Sequence, residues 1–589
     1  MVLLVGLVIK FAFNRDASIS FSKIDISLFL LLLYITINRY EIQSIYGFSL
    51  RYCELLGLVI LYVVLRTFSV KVYIWLLLVI VISGIIQAIY GNLQLFGIYS
   101  SNHSGFKLTG SFFNPGPYAG FVSAVFSIAL AMYLYKERII ECLLLKKGKH
   151  SRLINKVVPY VYEYVPLIGI ITIASVIPAS QSRAAWLAVI VGSIFLFECR
   201  YRYVVQFLRN LDIIKKSAFL FSILFVIGVG IYGIYHFKKG SSDGRLFVWK
   251  VTTEMVKDNP VFGLGFDRFK SDYMDYQANY FVQNGETKEA EVADNTYYAF
   301  NEYLQFIAEE GVLGLLLLII LVFFLMQISV SPEHRFMFLI ILGCLISKGL
   351  FAFFSYPMQI LPIKLILVVL LGLLVTLDNN TYEWKINTRS KRYAFSGFKV
   401  FVIGVFVFGG IKGFGLTKNL EQSFKIWKKA LMVYNYGDYI GAIDEYEKIY
   451  PVLNKEGDFL MNYGKALVMG KKHQEAIEVL EQAKQYLNTT IIETALGDAY
   501  MKNKQYSKAE AAYQHAANMI PVRFYPLYLL AKLYEENGEK DKGLVMAKAI
   551  LLKDVKVPST AIKEIRAEMK TIISNYKDLE EDSNNGTEY

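Results

Sequence analysis

The chain has 589 residues, of which 55% are hydrophobic, and a formal charge of +12, with a mean hydropathy of +0.39. Together these exclude an ordinary soluble enzyme and point to a polytopic membrane protein. Much of the positive charge lies in short loops, as at Lys146, Lys147, Lys149 and Arg152; there it reports membrane orientation, and with no recognition motif beside it nucleic-acid binding is not expected.

In chain order, apolar runs long enough or nearly long enough to span lie near residues 2–13, 26–38, 53–68, 72–90, 116–135, 157–177, 184–199 and 216–237. Further runs lie near 311–328, 335–355, 360–377 and 398–416. That predicts about twelve transmembrane helices, the first two short against the ~20 residues a bilayer needs. The first run lacks a basic leader and a small-residue cleavage site, so no cleavable signal is expected. The four cysteines, Cys53, Cys142, Cys199 and Cys344, all sit in or beside apolar runs, which supports neither a disulfide framework nor a zinc site.

Lys and Arg collect at 136–156, 200–216 and 385–392. Span parity puts all three loops on one side, which the positive-inside rule makes cytoplasmic. The polar stretch from Lys238 to Gly311 is then external, as are 110–117, 178–183, 355–361 and everything after Leu416. The same parity puts Met1 outside, so that 2–13 either does not span or belongs to a longer first helix.

After Leu416 the composition shifts to Ala, Tyr, Lys and Glu, and small residues recur. Ala442, Ala476, Ala509 and Gly543 are 33 or 34 residues apart, as are Gly464, Gly497 and Ala531. This interval is the tetratricopeptide pattern, with Tyr506, Ala509, Tyr513, Ala516 and Pro521 marking one unit. The expected organisation is all-α: a polytopic domain over 1–416 that includes the loop 238–310, a helical-repeat domain over 417–555, and a C-terminal helix with a disordered tail over 556–589. A repeat domain of this type binds or packs against protein partners.

The external stretches carry the polar motifs. GSFFNPGPYAGF (110–121) places Asn114 and two prolines before a span, a natural helix entry. SQSRAAWLA (180–188) puts Arg183 at the mouth of the next but one, where a lone Arg often snorkels. GRLFVWKVTTEMVKDNPVFGLGFDRF (244–269) opens on Arg245 with Trp249 following, then reaches Asn259-Pro260 and a Gly263, Gly265 pair that lets the backbone approach a neighbour or ligand closely. ADNTYYAFNEYLQFIAEEGVLG (293–314) carries Asp294, Asn301, Glu302 and Tyr303 into another span. Asp267, Asp272, Asp275 and Asp294 lack a metal-ligand spacing, and no metal or other cofactor is expected.

In this order the motifs resemble the O-antigen ligase and O-antigen polymerase superfamily of bacterial envelope glycosyltransferases, which also holds protein O-oligosaccharyltransferases. The resemblance rests on Asn114-Pro115, Ser182-Arg183, Gly244-Arg245 with Trp249, the Asn259 to Gly265 motif, and Asn301-Glu302-Tyr303-Leu304-Gln305 ahead of Gly311-Val312-Leu313-Gly314. It covers roughly residues 50–375. Where the ligases carry His before Asn, this chain has Phe300, so no histidine role is carried over.

The resemblance implies a GT-C-like membrane domain in the bacterial inner membrane, with loop and repeats in the periplasm. It implies transfer of a glycan from an undecaprenyl-diphosphate carrier to lipid A-core, another glycan or a protein. Arg183 and Arg245 suit the diphosphate, since guanidinium binds phosphate oxygens in a two-pronged fork and stays protonated. Glu302 and Asp294 are the nearest candidates for the base at the acceptor hydroxyl, Asn301 is a further catalytic candidate, and Asn114, Trp249, Asp294 and Tyr303 are candidates for substrate contact; His103 and His236 enter only if the fold brings them in. Membrane lipid is a further expected partner. Ligation ranks first, with repeat-unit polymerisation and protein glycosylation as alternatives. The competitor from another class is a lipid-linked glycan transporter, for which Lys348 and Lys364 would be the main intramembrane charges.

Overall fold

The architecture comes from a computed structural model that describes residues 18–45, 49–144, 152–385 and 389–585. Among the described residues the chain is all-α apart from one antiparallel pair, Ser18–Ser22 with Thr381–Lys385, whose register runs from Ser18 opposite Lys385 to Ser22 opposite Thr381. Among the described residues seven helices are long and apolar enough to cross a membrane: Val70–Leu95, Pro115–Leu134, Lys156–Ser180, Arg183–Tyr201, Ile213–Phe237, Glu302–Met326 and Pro332–Phe353. This is a multi-pass membrane protein.

Of the other runs among the about twelve that the hydropathy pattern suggests, three fall short of this criterion by length. Lys23–Ile37, Leu50–Leu65 and Leu361–Thr376 are apolar but only 15 or 16 residues long. At about 1.5 Å per residue each falls short of the ~30 Å hydrocarbon core. The run at 398–416 lies inside one 47-residue helix, Arg389–Asn435. The run at 2–13 lies outside the described residues, as do parts of the basic loops 136–156 and 385–392.

The chain forms two compact units. The first gathers Met1–Ile42, Arg51–Lys239 and Ala299–Lys412. Its centre is Pro115–Leu134, 89% buried. The sequence of that helix explains the position: Gly, Ala and Ser recur through PGPYAGFVSAVFSIALAMYL, and small side chains let helix backbones approach where no hydrophobic effect draws them together. A Cβ added at Gly120 would lie 2.6 Å from the Phe351 ring, and one at Gly84 would lie 2.4 Å from Val125. Polar bonds tie the same core: Ser127 Oγ donates to Ser347 Oγ at 3.0 Å, and Ser347 Oγ to the Ala188 carbonyl at 2.9 Å.

The second unit gathers Gln43–Leu50, Gly240–Tyr298 and Gly413–Tyr589. Its short helices run Tyr439–Leu453, Gly457–Met469, His473–Lys484, Thr490–Lys502, Tyr506–Met519, Phe524–Glu536 and Lys540–Leu552, each packed on the next. The recurrent small residues lie at the tightest crossings. Ala442, Ala476 and Ala509 are fully buried, and a Cβ on Gly464 or Gly497 would lie 2.4 Å from Leu480 or 2.2 Å from Tyr513. The last helix, Thr560–Asn585, extends past Glu580, where composition suggested a disordered tail.

The stretch Gly240–Tyr298 does not stand apart from these helices. Its Phe269–Asn284 helix packs on Tyr506–Met519, and polar bonds fasten it. Gln277 Nε2 donates to the Met519 carbonyl at 2.7 Å, while Asn488 Nδ2 at 2.7 Å and His515 Nε2 at 2.8 Å meet Asp275. Arg523 reaches Asp294 at 2.7 Å, and Asn295 Oδ1 accepts from the Thr490 amide at 3.0 Å.

Lys270 forms the electrostatic centre of this docking, 3.8 Å from Glu456, with Asp458 in turn accepting from the Tyr297 hydroxyl at 3.3 Å. Burial alone would depress the lysine, but Asp267, Glu456 and Asp458 outweigh it and hold the ammonium above the usual lysine range. Burial pushes both Glu456 and Asp458 upward, and Lys270 opposes that rise. Lys270→Met should therefore leave two buried carboxylates without their cation, at a cost of about 3 kcal/mol near neutral pH. Carboxylates with raised folded pKa values contribute stability that is present at low pH and lost as pH rises through those values. Thermal unfolding of the variant should accordingly approach the parent on acidification toward pH 5; an equal deficit at pH 5 and pH 8 would contradict this account.

Candidate functional site

Three helices of the first unit begin on residues suited to capping. Asn114 precedes Pro115–Leu134 and its Oδ1 accepts from the Gly116 amide at 3.1 Å. Ser182 precedes Arg183–Tyr201 and accepts from the Ala185 amide at 3.4 Å. Asn301 precedes Glu302–Met326 and accepts from the Tyr303 and Leu304 amides, both at 3.1 Å. Asn and Ser are good caps because a short side-chain acceptor satisfies amides the helix leaves open, and Pro115 fits the first turn because it has no amide to satisfy.

Packing draws these starts to one end of the unit. Ala119, Ala184, Ala185 and Phe351 share one buried cluster. The Tyr356 ring stands 5.3 Å from Phe300, edge to face, and its hydroxyl would be 3.5 Å from a Cβ on Gly116. Tyr303 donates to the Gly349 carbonyl at 3.1 Å. Asn114, Arg183, Asn301, Glu302 and Tyr303 are thus brought together, with Arg183 half-buried at the first helical position.

Arg245 and Trp249 belong to the second unit, one turn apart on Lys239–Asp258 and both half-buried. Asp294 also lies there, engaged by Arg523 as a tie within the docked loop. The other carboxylates of the loop are held locally too: Asp272 pairs with Arg268 at 3.1 Å, Asp275 meets Asn488 and His515, and Asp267 accepts from Ser49. His103 accepts from the Gly105 amide at 3.0 Å beside Phe106, and His236 lies among Tyr232 and Tyr235. Among the described residues no three His, Cys, Asp or Glu side chains converge as metal ligands.

Below the capped end lies a buried polar cluster that motif reading missed. Glu302 is 8% exposed, and its Oε1 accepts from the Met358 amide at 2.7 Å. One and two turns along, Gln305 and Glu309 are buried on the same helix face, and Gln305 Nε2 donates to Glu309 at 3.1 Å. Arg51 Nη1 lies 2.7 Å from both oxygens of Glu309. Glu310, fully buried, accepts from Asn38 Nδ2 at 3.0 Å, and Lys364 pairs with Glu54. Asn38 opens a π-helical turn, Asn38–Ile42, an irregularity frequent at functional sites. Gly311, at φ +65° and ψ −169°, breaks the helical path just after the acidic pair. The signal was present in the sequence as charges in or at the edge of apolar runs, at Arg39, Arg51, Glu54, Glu309 and Glu310, whereas the main intramembrane charges expected from the sequence are Lys348 and Lys364.

Phe300 adopts φ +53°. A bulky residue in that region carries strain of order 1–3 kcal/mol and persists only where its surroundings hold it. The family model described as O-antigen ligase matches residues 168–319. That match supports a likeness of this stretch to the O-antigen ligase superfamily. Members of that family are ligase- or polymerase-type glycosyltransferases. The matched stretch holds Arg183, Arg245, Trp249, Asp294 and the Phe300 to Glu309 segment, and it excludes Asn114, Arg51 and the C-terminal helices. No curated protein matches the chain.

The glycine motif has a structural partner. Gln43 Nε2 donates to the Gly263 carbonyl at 2.8 Å, and a Cβ on Gly265, whose φ is +92°, would lie 2.7 Å from Ile45. The two glycines clasp the strap Gln43–Leu50 within the second unit. Gly265→Ala should cost about 1–3 kcal/mol through strain and overlap, read as faster limited proteolysis of the strap. Unchanged cleavage would refute the clasp.

Proposed function

We propose that this protein transfers a glycan from an undecaprenyl-diphosphate carrier to an acceptor hydroxyl on the periplasmic face of the bacterial inner membrane. The observation that carries the reading is that residues 168–319, matched to O-antigen ligase, contain both Arg183 and Arg245 and the buried Glu302 at a capped helix start. On this reading the acceptor oxygen attacks the anomeric carbon of the donor sugar. The bond from that carbon to the diphosphate oxygen breaks, and the electron pair leaves with undecaprenyl diphosphate.

By the resemblance, Arg183 and Arg245 are each candidates to bind the donor diphosphate, through charge-assisted bonds that strengthen as the leaving bond breaks. Glu302, as carboxylate, would accept the hydroxyl proton, in keeping with its place in the first turn of the helix. Asn301 is committed to its cap, so its part is to orient that turn. Asn114 and Tyr303 are candidates for sugar contact in the first unit and Trp249 in the second, and Asp294 would keep the loop docked. The C-terminal helices read as a tetratricopeptide-type module that presents an acceptor or a protein partner. Ligation ranks first; Phe300, standing where the ligases carry His, favours repeat-unit polymerisation or protein glycosylation as the second reading.

The test is transfer in reconstituted membranes from an undecaprenyl-diphosphate oligosaccharide at matched folded levels. Arg183→Ala and Arg245→Ala should each lower kcat by about 10²–10³-fold, and Glu302→Gln by about 10²–10⁴-fold. Product size and attachment would separate ligase, polymerase and protein transferase. Labelled lipid crossing the bilayer with no carrier consumed would replace the enzyme reading with transport.

A further inference from the structure

We infer that Arg51 and Glu309 are positioning residues: through Gln305 they hold the turn from Ala299 to Glu302 in the shape the transfer reaction uses. The inference rests on the glycosyl-transfer reading for its kinetic consequence, but the geometry that carries it is independent of that reading.

The links run in one direct series. Arg51 Nη1 grips both carboxylate oxygens of Glu309 at 2.7 Å. The same carboxylate accepts from Gln305 Nε2 at 3.1 Å, which fixes which end of the amide faces it. The other end of that amide, Gln305 Oε1, accepts from the Ala299 amide at 3.2 Å. Ala299 immediately precedes Phe300, the residue held at φ +53°. From the opposite side the turn is met by the Tyr356 ring against Phe300 and by the Met358 amide on Glu302. The turn is therefore gripped on both flanks, and the Arg51 side is the one that depends on charge.

Stability alone does not call for such a pair. Glu309 is 1% exposed and the Arg51 side chain 17%, so both are largely withdrawn from water, and well-packed apolar residues generally serve a core as well as a buried ion pair does. What an apolar pair lacks is direction. A carboxylate locked by a guanidinium orients the Gln305 amide, and an oriented amide fixes the Ala299 peptide. Arg51 comes from Leu50–Leu65, outside the stretch matched to O-antigen ligase, so the pair supplies from the first helices what the matched segment does not hold by itself.

The test compares the full-length protein with Arg51→Lys, which keeps the charge and loses the planar grip, and with Arg51→Met/Glu309→Leu, which removes both charges and leaves neither buried alone. Deuterium exchange at the amides of 299–304 should rise about tenfold in the double variant and less in Arg51→Lys, with Pro115–Leu134 unchanged. In the transfer assay kcat should fall by about ten- to a hundredfold, with the donor KM within about twofold. If the double variant does not fold, Arg51→Lys decides alone: exchange and kcat equal to the parent overturn the inference. Parent-like exchange and turnover in the double variant overturn it as well. If the parent protein transfers no glycan, the functional reading fails, and exchange at 299–304 still decides whether the pair holds the turn.

Discussion

An ionised side chain taken out of water must find a partner, and much of the first unit is arranged around that requirement. Glu302, Glu309 and Glu310 enter the bundle on a single helix, within eight residues of its start. Each has its answer from a different part of the chain: the Met358 amide, Arg51 and Asn38. Partners so far apart in sequence draw the first helices, the Glu302 helix and the 356–358 turn onto one another. Ionisable groups in an apolar bundle are costly, which is the physical ground for proposing this end as the working end.

Both units use small residues to bring helices close, for different physical reasons. In the apolar unit Gly84 and Gly120 admit Val125 and Phe351, and the gain is van der Waals contact, because lipid tails are as apolar as the side chains they would leave. In the second unit Gly464 and Gly497 admit Leu480 and Tyr513, and there the gain includes apolar surface removed from water. The same residue type at a similar crossing therefore reports different energetics on the two sides of Leu416.

The loop between spans is better understood as part of the C-terminal unit than as a free segment. Asp275, Gln277, Asp294 and Asn295 all bond to the repeat-like helices, and Lys270 sits among carboxylates from both. Arg245 and Trp249 ride on that assembly. Asp294, a candidate for substrate contact from the sequence, and Asp275 both hold the loop in place.

The hydropathy pattern was enough to establish a helical, multi-pass chain with a change of character after Leu416, because burial in lipid writes itself into consecutive residues. The recurrence of Ala and Gly at 33 or 34 residues was legible for the same reason: a repeated local crossing needs a repeated small side chain. The helix starts at Asn114, Ser182 and Asn301 could be read from capping residues, which act within three or four positions. The number of helices long enough to span was not legible, since an apolar run does not state where a helix begins and ends. Nor was the pairing of Arg51 with Glu309, of Gln43 with Gly263, or of Asp294 with Arg523. Each joins residues more than two hundred positions apart, and a charge in a sequence announces that it needs a partner without naming which one. That choice was made only when the tertiary structure brought the partners within hydrogen-bond reach.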